Sequence, residues 1–153
     1  MSESSKEQDM TLEDRHKEIV TEFYRIKNER DYSALSAVIH PDFSAEFARH
    51  FGANEAFDAT YLAERWAAYV VAFPDLFYDV HHLVAEDEWV VARLHYRGTH
   101  LGKLYDFEPT GREINVNQHL SFRFQDEKII EMFSTADFLT GLWKPLGLTP
   151  PGV

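Results

Sequence analysis

The chain contains no cysteine among its 153 residues. It therefore has no disulfide framework, no thiol nucleophile and no thiolate metal site. Positive charge is also scarce, because 15 Lys and Arg stand against 26 Asp and Glu and leave a net charge of −11. A field of that sign repels nucleic-acid phosphates and anionic lipids, which argues against both classes of partner.

Long apolar runs are missing as well. The longest uncharged apolar stretch, residues 66–74, is too short to cross a bilayer. The first nine residues are polar and acidic and lack the apolar segment of a signal peptide, so we expect a cytoplasmic protein. The sequence also lacks a Gly-x-Ser-x-Gly elbow, a phosphate-binding loop and a dinucleotide fingerprint, which removes the common enzyme classes built on them.

Aromatic side chains are plentiful, with 12 Phe, 7 Tyr and 3 Trp in a composition that is 44% hydrophobic. That is enough apolar material for one folded domain. In a domain of this size we expect some of the aromatic rings to line a cavity as well as fill the core. Residues 1–10 read as a disordered leader and residues 149–153 as a tail, which leaves 11–148 as the domain.

Helical periodicity dominates the first half of the chain. Thr11 is the expected N-cap of a first helix with one apolar stripe. A short second helix is predicted over residues 32–39, ending near Pro41. A third helix is predicted to begin after Asp58 and to end at Pro74.

From residue 76 onward the period changes from helical to strand-like. Four strands are predicted, over residues 76–86, 88–100, 112–125 and 128–137. Residues 137–146 predict a short closing helix or turn. Helices followed by a curved antiparallel sheet indicate an α+β domain rather than a βαβ repeat.

Alternation along residues 112–125 predicts which side chains face inward. The apolar row carries Gln118 in its middle. A buried amide without a partner costs about 1–3 kcal/mol, so Gln118 must be bonded. A neighbouring backbone group or a buried water satisfies it in one interpretation, and in the other it faces a ligand cavity.

The same alternation along residues 88–100 predicts two unlike faces. The inward row ends at His100, and the outward row carries Trp89 and Val91. Large apolar side chains on an outer face indicate that something covers it, most simply a second subunit. A homodimer through the sheet is therefore expected.

Several short motifs together resemble one family. They are Gly98-Thr-His-Leu-Gly102, Pro109-Thr-Gly-Arg112, Arg123-Phe124 with Asp126 and Lys128-Ile129, Asp137 with Leu146-Gly147, His40-Pro-Asp-Phe43 and Phe73-Pro-Asp-Leu76. Over about residues 12–148 the chain resembles the SnoaL-like polyketide cyclases of the NTF2-like superfamily. Glu127 stands where that family usually has glycine.

The resemblance implies a cone-shaped, curved antiparallel sheet closed by N-terminal helices, often dimeric, with no metal or organic cofactor. It also implies aldol cyclisation or isomerisation of an apolar carbonyl compound in an internal pocket. A carboxylate removes a proton next to the carbonyl, and hydrogen-bond donors hold the enolate. A non-catalytic small-molecule binding module and a cofactor-free hydrolase are the alternatives.

Two ionisable side chains are candidates for the acid–base work. Asp137 either acts at the pocket mouth or caps the closing helix through Thr140. His100 either acts as an acid or base or bonds a loop carbonyl. In the register of the resemblance, Ser134 stands where the cyclases place their acid, and Ala45 stands where they place an asparagine.

The expected pocket lies between the third helix and the sheet. Its expected substrate-binding residues are Gln118, Leu120, Trp66, Ser134, Tyr24 and Tyr69. The alternative for the three aromatic residues is a purely structural place in the core. No metal site is expected, because His81, His82 and His95 lack the helical spacing and carboxylate companions of one.

Overall fold

Helices come first along the chain and strands follow. The computed structural model describes residues 9–45 and 58–151, so most of the leader predicted over 1–10 lies outside the described residues. The elements are α1 (Leu12–Glu29), a 3-10 helix (Tyr32–Ala37), β1 (Ile39–Ala45), α2 (Ala59–Ala72), β2 (Phe77–Glu86), β3 (Trp89–Thr99), β4 (Glu113–Gln125), β5 (Lys128–Ala136), a π-helical turn (Leu139–Trp143) and α3 (Lys144–Leu146).

Both long helices begin at the caps that the sequence predicts. The Thr11 hydroxyl accepts a hydrogen bond from the Asp14 N–H at 3.1 Å. The Asp58 carboxylate accepts one from the Tyr61 N–H at 2.9 Å. Each contact satisfies a backbone donor in a first helical turn that has no partner within the helix.

The five strands form one curved sheet in the order β1-β5-β4-β3-β2. The three pairs from β5 to β2 are antiparallel, whereas β1 runs parallel to β5. The α+β fold with helices ahead of a curved sheet is confirmed. Strand β1, which the sequence pattern does not predict, makes the sheet mixed rather than purely antiparallel.

A helix was predicted over residues 32–39, and the predicted end of this helix was wrong. The 3-10 helix stops at Ala37, and the chain enters β1 at Ile39. Val38 and Ile39 are β-branched and buried, and the Val38 carbonyl accepts the Ile129 N–H at 2.8 Å. Pro41 is tolerated in β1 because this strand lies at the edge of the sheet, where an absent N–H breaks no ladder bond.

A bulge in each of two strand pairs shifts the alternation by one residue. The bulge between β4 and β5 allows two successive residues, Ile129 and Ile130, both to be buried. The bulge between Val80 and His82, at the β2–β3 pair, leaves His81 and His82 both exposed. A β-bulge adds one residue to one strand, so side chains after it change faces.

The motifs that carry the family resemblance hold α2 against the end of β3. Asp75 accepts hydrogen bonds from the Thr99 N–H at 2.6 Å and the Thr99 hydroxyl at 2.7 Å. The N–H groups of Leu101 and Gly102 donate to the Ala72 carbonyl. A Cβ on Gly102 would lie 2.0 Å from the Val71 carbonyl oxygen, so only glycine fits there.

Within the described residues, no helix is both long and apolar enough to cross a bilayer. The helices instead cover the inner face of the sheet. The largest fully buried side chains come from both layers and include Phe23, Phe73, Phe122, Ile26, Leu62 and Leu94. The inner face is therefore the place where a site would be enclosed.

Asn28 joins α1 to the free edge of the sheet. Its side-chain amide donates to the Tyr78 carbonyl at 2.9 Å and accepts from the Tyr78 N–H at 2.8 Å, as a neighbouring strand would. Asn28→Ala should lower the free energy of unfolding by about 1–3 kcal/mol, because both backbone groups lose a part-buried partner. Chemical denaturation measures this, with the exposed amide variant Gln125→Ala as control. Equal losses in both variants would contradict the role given to Asn28.

Candidate functional site

A lysine side chain lies between the helices and the inner face of the sheet. Lys27 is only 7% exposed. Its Nζ lies 3.8 Å from the ring centroid of Tyr78 and 4.5 Å from that of Trp66. The rings of Phe23 and Tyr24 are each 5.6 Å away. Four aromatic rings thus surround one amine.

The periodicity of α1 explains how a lysine comes to lie there. Val20, Phe23 and Tyr24 are buried on the face that packs against the sheet. Lys27 follows them at spacings of seven, four and three residues, so it continues the same stripe. Lys27 is not among the predicted site residues, because an apolar stripe is defined by apolar residues only. A lysine in register with two aromatic residues was the available signal.

Burial changes the protonation of this amine. Among the described residues, no carboxylate lies within ion-pair distance of Lys27, and no hydrogen bond reaches its Nζ. Loss of solvation lowers the pKa of Lys27 from 10.5 to about 7. The ring faces stabilise the ammonium form only in part. A substantial fraction of Lys27 is therefore a neutral amine at pH 7, which can accept a proton.

Tyrosine hydroxyls form the polar part of the same interior. The ring centroids follow one another from Tyr24 to Tyr78 at 6.0 Å, from Tyr78 to Tyr96 at 5.2 Å and from Tyr96 to Tyr69 at 6.3 Å. Burial raises the pKa of all four hydroxyls. They remain protonated at neutral pH and are donors for an oxygen that gains negative charge.

Several of the interior polar atoms have no hydrogen-bond partner in the described structure. They include the hydroxyl oxygen of Tyr24 and Oε1 of Gln118. Each such atom costs about 1–3 kcal/mol, and native cores contain few of them. These atoms and Lys27 make the inner face the most polar part of the described interior.

Gln118 lies on the inward row of β4, where the sequence placed it. Its Nε2 donates to the Ser134 hydroxyl at 2.8 Å. This bond satisfies one end of the amide and leaves Oε1 as an acceptor inside the protein. Leu120, two residues further along β4, is buried on the same row.

His100 is fully buried at the end of β3. Its Nδ1 accepts the Thr110 N–H at 3.2 Å, so the ring proton lies on Nε2. Burial lowers the pKa of His100, and the Gly102 carbonyl partly opposes this. The ring packs on Phe73 at 5.4 Å, and Phe73 packs on Tyr69 at 5.1 Å. His100 is therefore a neutral donor next to the tyrosine row.

Asp137 follows β5 and makes the capping contact that the sequence analysis left open. Its carboxylate accepts the Asn117 N–H at 2.7 Å, the Asn117 side-chain amide at 3.2 Å and the Thr140 hydroxyl at 3.4 Å. The Gly141 N–H donates to the Asp137 carbonyl at 2.8 Å. These bonds tie the closing turn to β4 and occupy both carboxylate oxygens.

The structure gathers only part of the predicted site into one place. Tyr24 and Trp66 meet at Lys27, and Tyr69 joins them through the tyrosine row. Gln118 and Ser134 form a second pair. Within the described residues, no hydrogen bond connects Asp137 or His100 to Lys27.

The fold is that of the NTF2-like class, with helices closing over one face of a curved sheet. The chain belongs to the SnoaL-like polyketide cyclase family, whose model matches residues 17–142. No curated protein sequence matches the chain.

Several solved structures share this fold. IdmH of Streptomyces antibioticus, a proposed polyketide cyclase, is 24% identical with a TM-score of 0.74, over 87% of this chain and 99% of that one. TsrD of Streptomyces laurentii is 21% identical with a TM-score of 0.77, over 92% and 100%. AclR of Streptomyces galilaeus, a proposed hydroxylase, is 24% identical with a TM-score of 0.72, over 88% and 97%. At such identities the likeness shows the fold and leaves the reaction open.

The lowered pKa of Lys27 predicts how the free energy of unfolding depends on pH. Between pH 7 and pH 10.5, Lys27 is protonated in the unfolded state, where its pKa is 10.5, but largely neutral in the folded state, where its pKa is about 7. The unfolding free energy of the wild type should therefore rise with pH from about 7, by up to about 1.4 kcal/mol per pH unit relative to Lys27→Met. At pH 6 the variant should be more stable by about 1–4 kcal/mol, since it buries no charge. Chemical denaturation from pH 6 to 9 measures both quantities.

The matched control is Lys17→Met, a lysine on the same helix outside the aromatic cluster. The stability difference between this variant and the wild type should not change with pH. If the Lys27→Met and wild-type stability curves run parallel across the same pH range, the amine is solvated and the site assignment is wrong.

Proposed function

We propose that this protein is a cofactor-independent enzyme of the polyketide-cyclase type, which removes a proton next to a carbonyl group of an apolar compound. The proposed reaction is an aldol cyclisation or an isomerisation. One observation carries the proposal: Lys27 is buried, has no carboxylate partner among the described residues and is surrounded by aromatic rings, two of them tyrosines. Membership in the SnoaL-like family supports the reaction class.

The proposed mechanism starts from the neutral amine of Lys27. Its lone pair takes the proton from the carbon next to the carbonyl, and the C–H electrons move to the carbonyl oxygen as an enolate. Tyrosine hydroxyls donate hydrogen bonds to that oxygen, while ring faces hold the new ammonium. In a cyclisation the enolate carbon then attacks a second carbonyl of the same molecule, and the alkoxide recovers a proton. Protons and electrons balance without a cofactor.

Asp137 and His100 keep secondary places in this proposal. The neutral His100 carries its proton on Nε2, which suits the return of a proton or polarisation of a carbonyl. Asp137 accepts three hydrogen bonds that hold the closing turn to β4, which is a structural role. Lys27 has no such structural bonds among the described residues, and for this reason we assign the base to it. Gln118, Leu120, Ser134, Trp66 and the tyrosines would line the ligand.

A non-catalytic small-molecule binding module is the second candidate. The observation that favours it is Ser134, which stands where the family resemblance places a carboxylic acid and is bonded to Gln118. In that case Lys27 and the tyrosines would recognise a ligand without reacting. A cofactor-free hydrolase is a weaker third possibility.

The outer face of the sheet supports a homodimer as part of the proposal, in a cytoplasmic setting. Val84 is 66% exposed and Val91 is 40% exposed, and these two residues face each other across β2 and β3. The rings of Trp89 and Phe133 lie beside them with centroids 6.0 Å apart. A contiguous apolar patch of this kind is typical of a protein interface.

Activity is tested on carbonyl compounds that first bind in a thermal-shift screen of linear and cyclic candidates. Lys27→Met should lower turnover by roughly 100-fold to 10,000-fold, while Lys17→Met leaves it unchanged. The wild-type rate should rise with pH through about 7, because the neutral amine is the active form. If Lys27→Met keeps full activity and either Asp137→Asn or His100→Gln loses it, the residue whose variant loses activity is the base. Hits that bind without turnover would favour the binding module.

Association is tested by sedimentation at micromolar concentration. The wild type should sediment as a dimer of a 17.8 kDa chain, and Val91→Glu should shift it toward monomer because a charge enters the apolar patch. Val71→Glu is the matched control, since Val71 is 64% exposed on α2 and away from that face. A monomeric wild type would rule out the dimer, and dissociation by Val71→Glu alone would place it elsewhere.

A further inference from the structure

Two histidines and one aspartate form a cluster on the outer face of the sheet, opposite to the face that holds Lys27. Asp79 on β2 pairs directly with His95 on β3. His81 lies two residues after Asp79, so it projects from the same side of the strand. One ligand atom from each of the three side chains lies within 4.8 Å of the other two.

The contacts within this cluster bring lone pairs together. The His81 and His95 rings stack with centroids 4.6 Å apart, and Nε2 of His81 faces Nδ1 of His95 in direct contact. Nε2 of His95 lies 3.9 Å from Oδ2 of Asp79. Without a cation, the two facing nitrogens can share only one proton.

We propose that Asp79, His81 and His95 form a binding site for one divalent transition-metal ion, with zinc as the best match. Two imidazoles and one carboxylate are a ligand set that zinc uses, with further positions taken by water. Ligands at about 2.0–2.1 Å in a tetrahedron lie about 3.3 Å apart, so modest side-chain rotation would close the site. Imidazole ligands favour zinc, copper or nickel over magnesium.

The neighbouring histidine does not join the cluster. His82 accepts hydrogen bonds from Arg93 through its Nδ1, at 3.1 and 2.9 Å. The bulge after Val80 separates the roles of the two adjacent histidines: it leaves His81 against His95 and places His82 opposite Arg93. Among the described residues, the site thus has three protein ligands, which leaves positions for water.

This site departs from the expectation of no metal drawn from the sequence. That expectation rested on the spacing of ligands along a helix. In a sheet the relevant neighbours are the residue two positions along and the residue opposite on the next strand. The proposal is independent of the reaction proposed for Lys27, which involves no metal and lies on the other face.

The test uses the full-length protein after treatment with a chelator and removal of that chelator. Titration with zinc chloride in a calorimeter should show one ion bound per chain, and millimolar magnesium should not displace it. His81→Ala, His95→Ala and Asp79→Asn should each weaken zinc binding by roughly tenfold or more. Thermal unfolding of each variant shows whether it is folded.

His40→Ala is the matched control. His40 also lies close to a carboxylate, with Nε2 at 3.5 Å from Asp126, but it has no second histidine beside it among the described residues. It should bind zinc as the wild type does. Absence of zinc binding by the wild type overturns the proposal, as does an affinity that the three cluster variants leave unchanged. Because His81 is exposed, His81→Ala still decides the matter if His95→Ala fails to fold.

Discussion

The burial at Lys27 of an amine that has no carboxylate partner among the described residues is the constraint on which the interior of this protein depends. Withdrawing a charge from water is costly, and the protein lowers that cost by deprotonating the amine and by offering ring faces to its charged form. Phe23 and Tyr24 on α1, Trp66 on α2 and Tyr78 on β2 are all needed for that environment. A methionine at this position would pack as well without a buried charge and would make the protein more stable. A residue that lowers stability in this way usually has a function.

The contacts that keep the rings in place lie away from the amine. Asn28 fixes the backbone of Tyr78, and Asp75 fixes the end of β3 through Thr99. Gly102 lets the chain after β3 approach the end of α2. Asp75, Thr99 and Gly102 belong to the motifs that carry the family resemblance, so those motifs specify the architecture. The same fold is found in a proposed cyclase and a proposed hydroxylase, each 24% identical to this chain.

Periodicity predicted the parts of the fold that repeat along one segment. It gave both long helices with their caps, four strands and the inward direction of Gln118. It failed for β1, where Val38 and Ile39 continue what resembles a helix, because pairing with β5 is not visible in a local pattern. It missed Lys27 because a search for apolar stripes passes over a charged residue on one. It dismissed His81 and His95 because their meeting depends on strand register and a bulge.

For the reaction proposed at Lys27, the net charge of −11 and the interior amine together favour a neutral substrate. An anionic compound is repelled at the surface, and inside it would pair with Lys27, stabilise the ammonium and raise its pKa. The amine would then no longer accept a proton at pH 7. A neutral carbonyl compound leaves the pKa near its lowered value until the enolate forms, and only then does the ammonium gain a partner. The attraction therefore develops during the reaction, which is the condition for interactions that accelerate a chemical step.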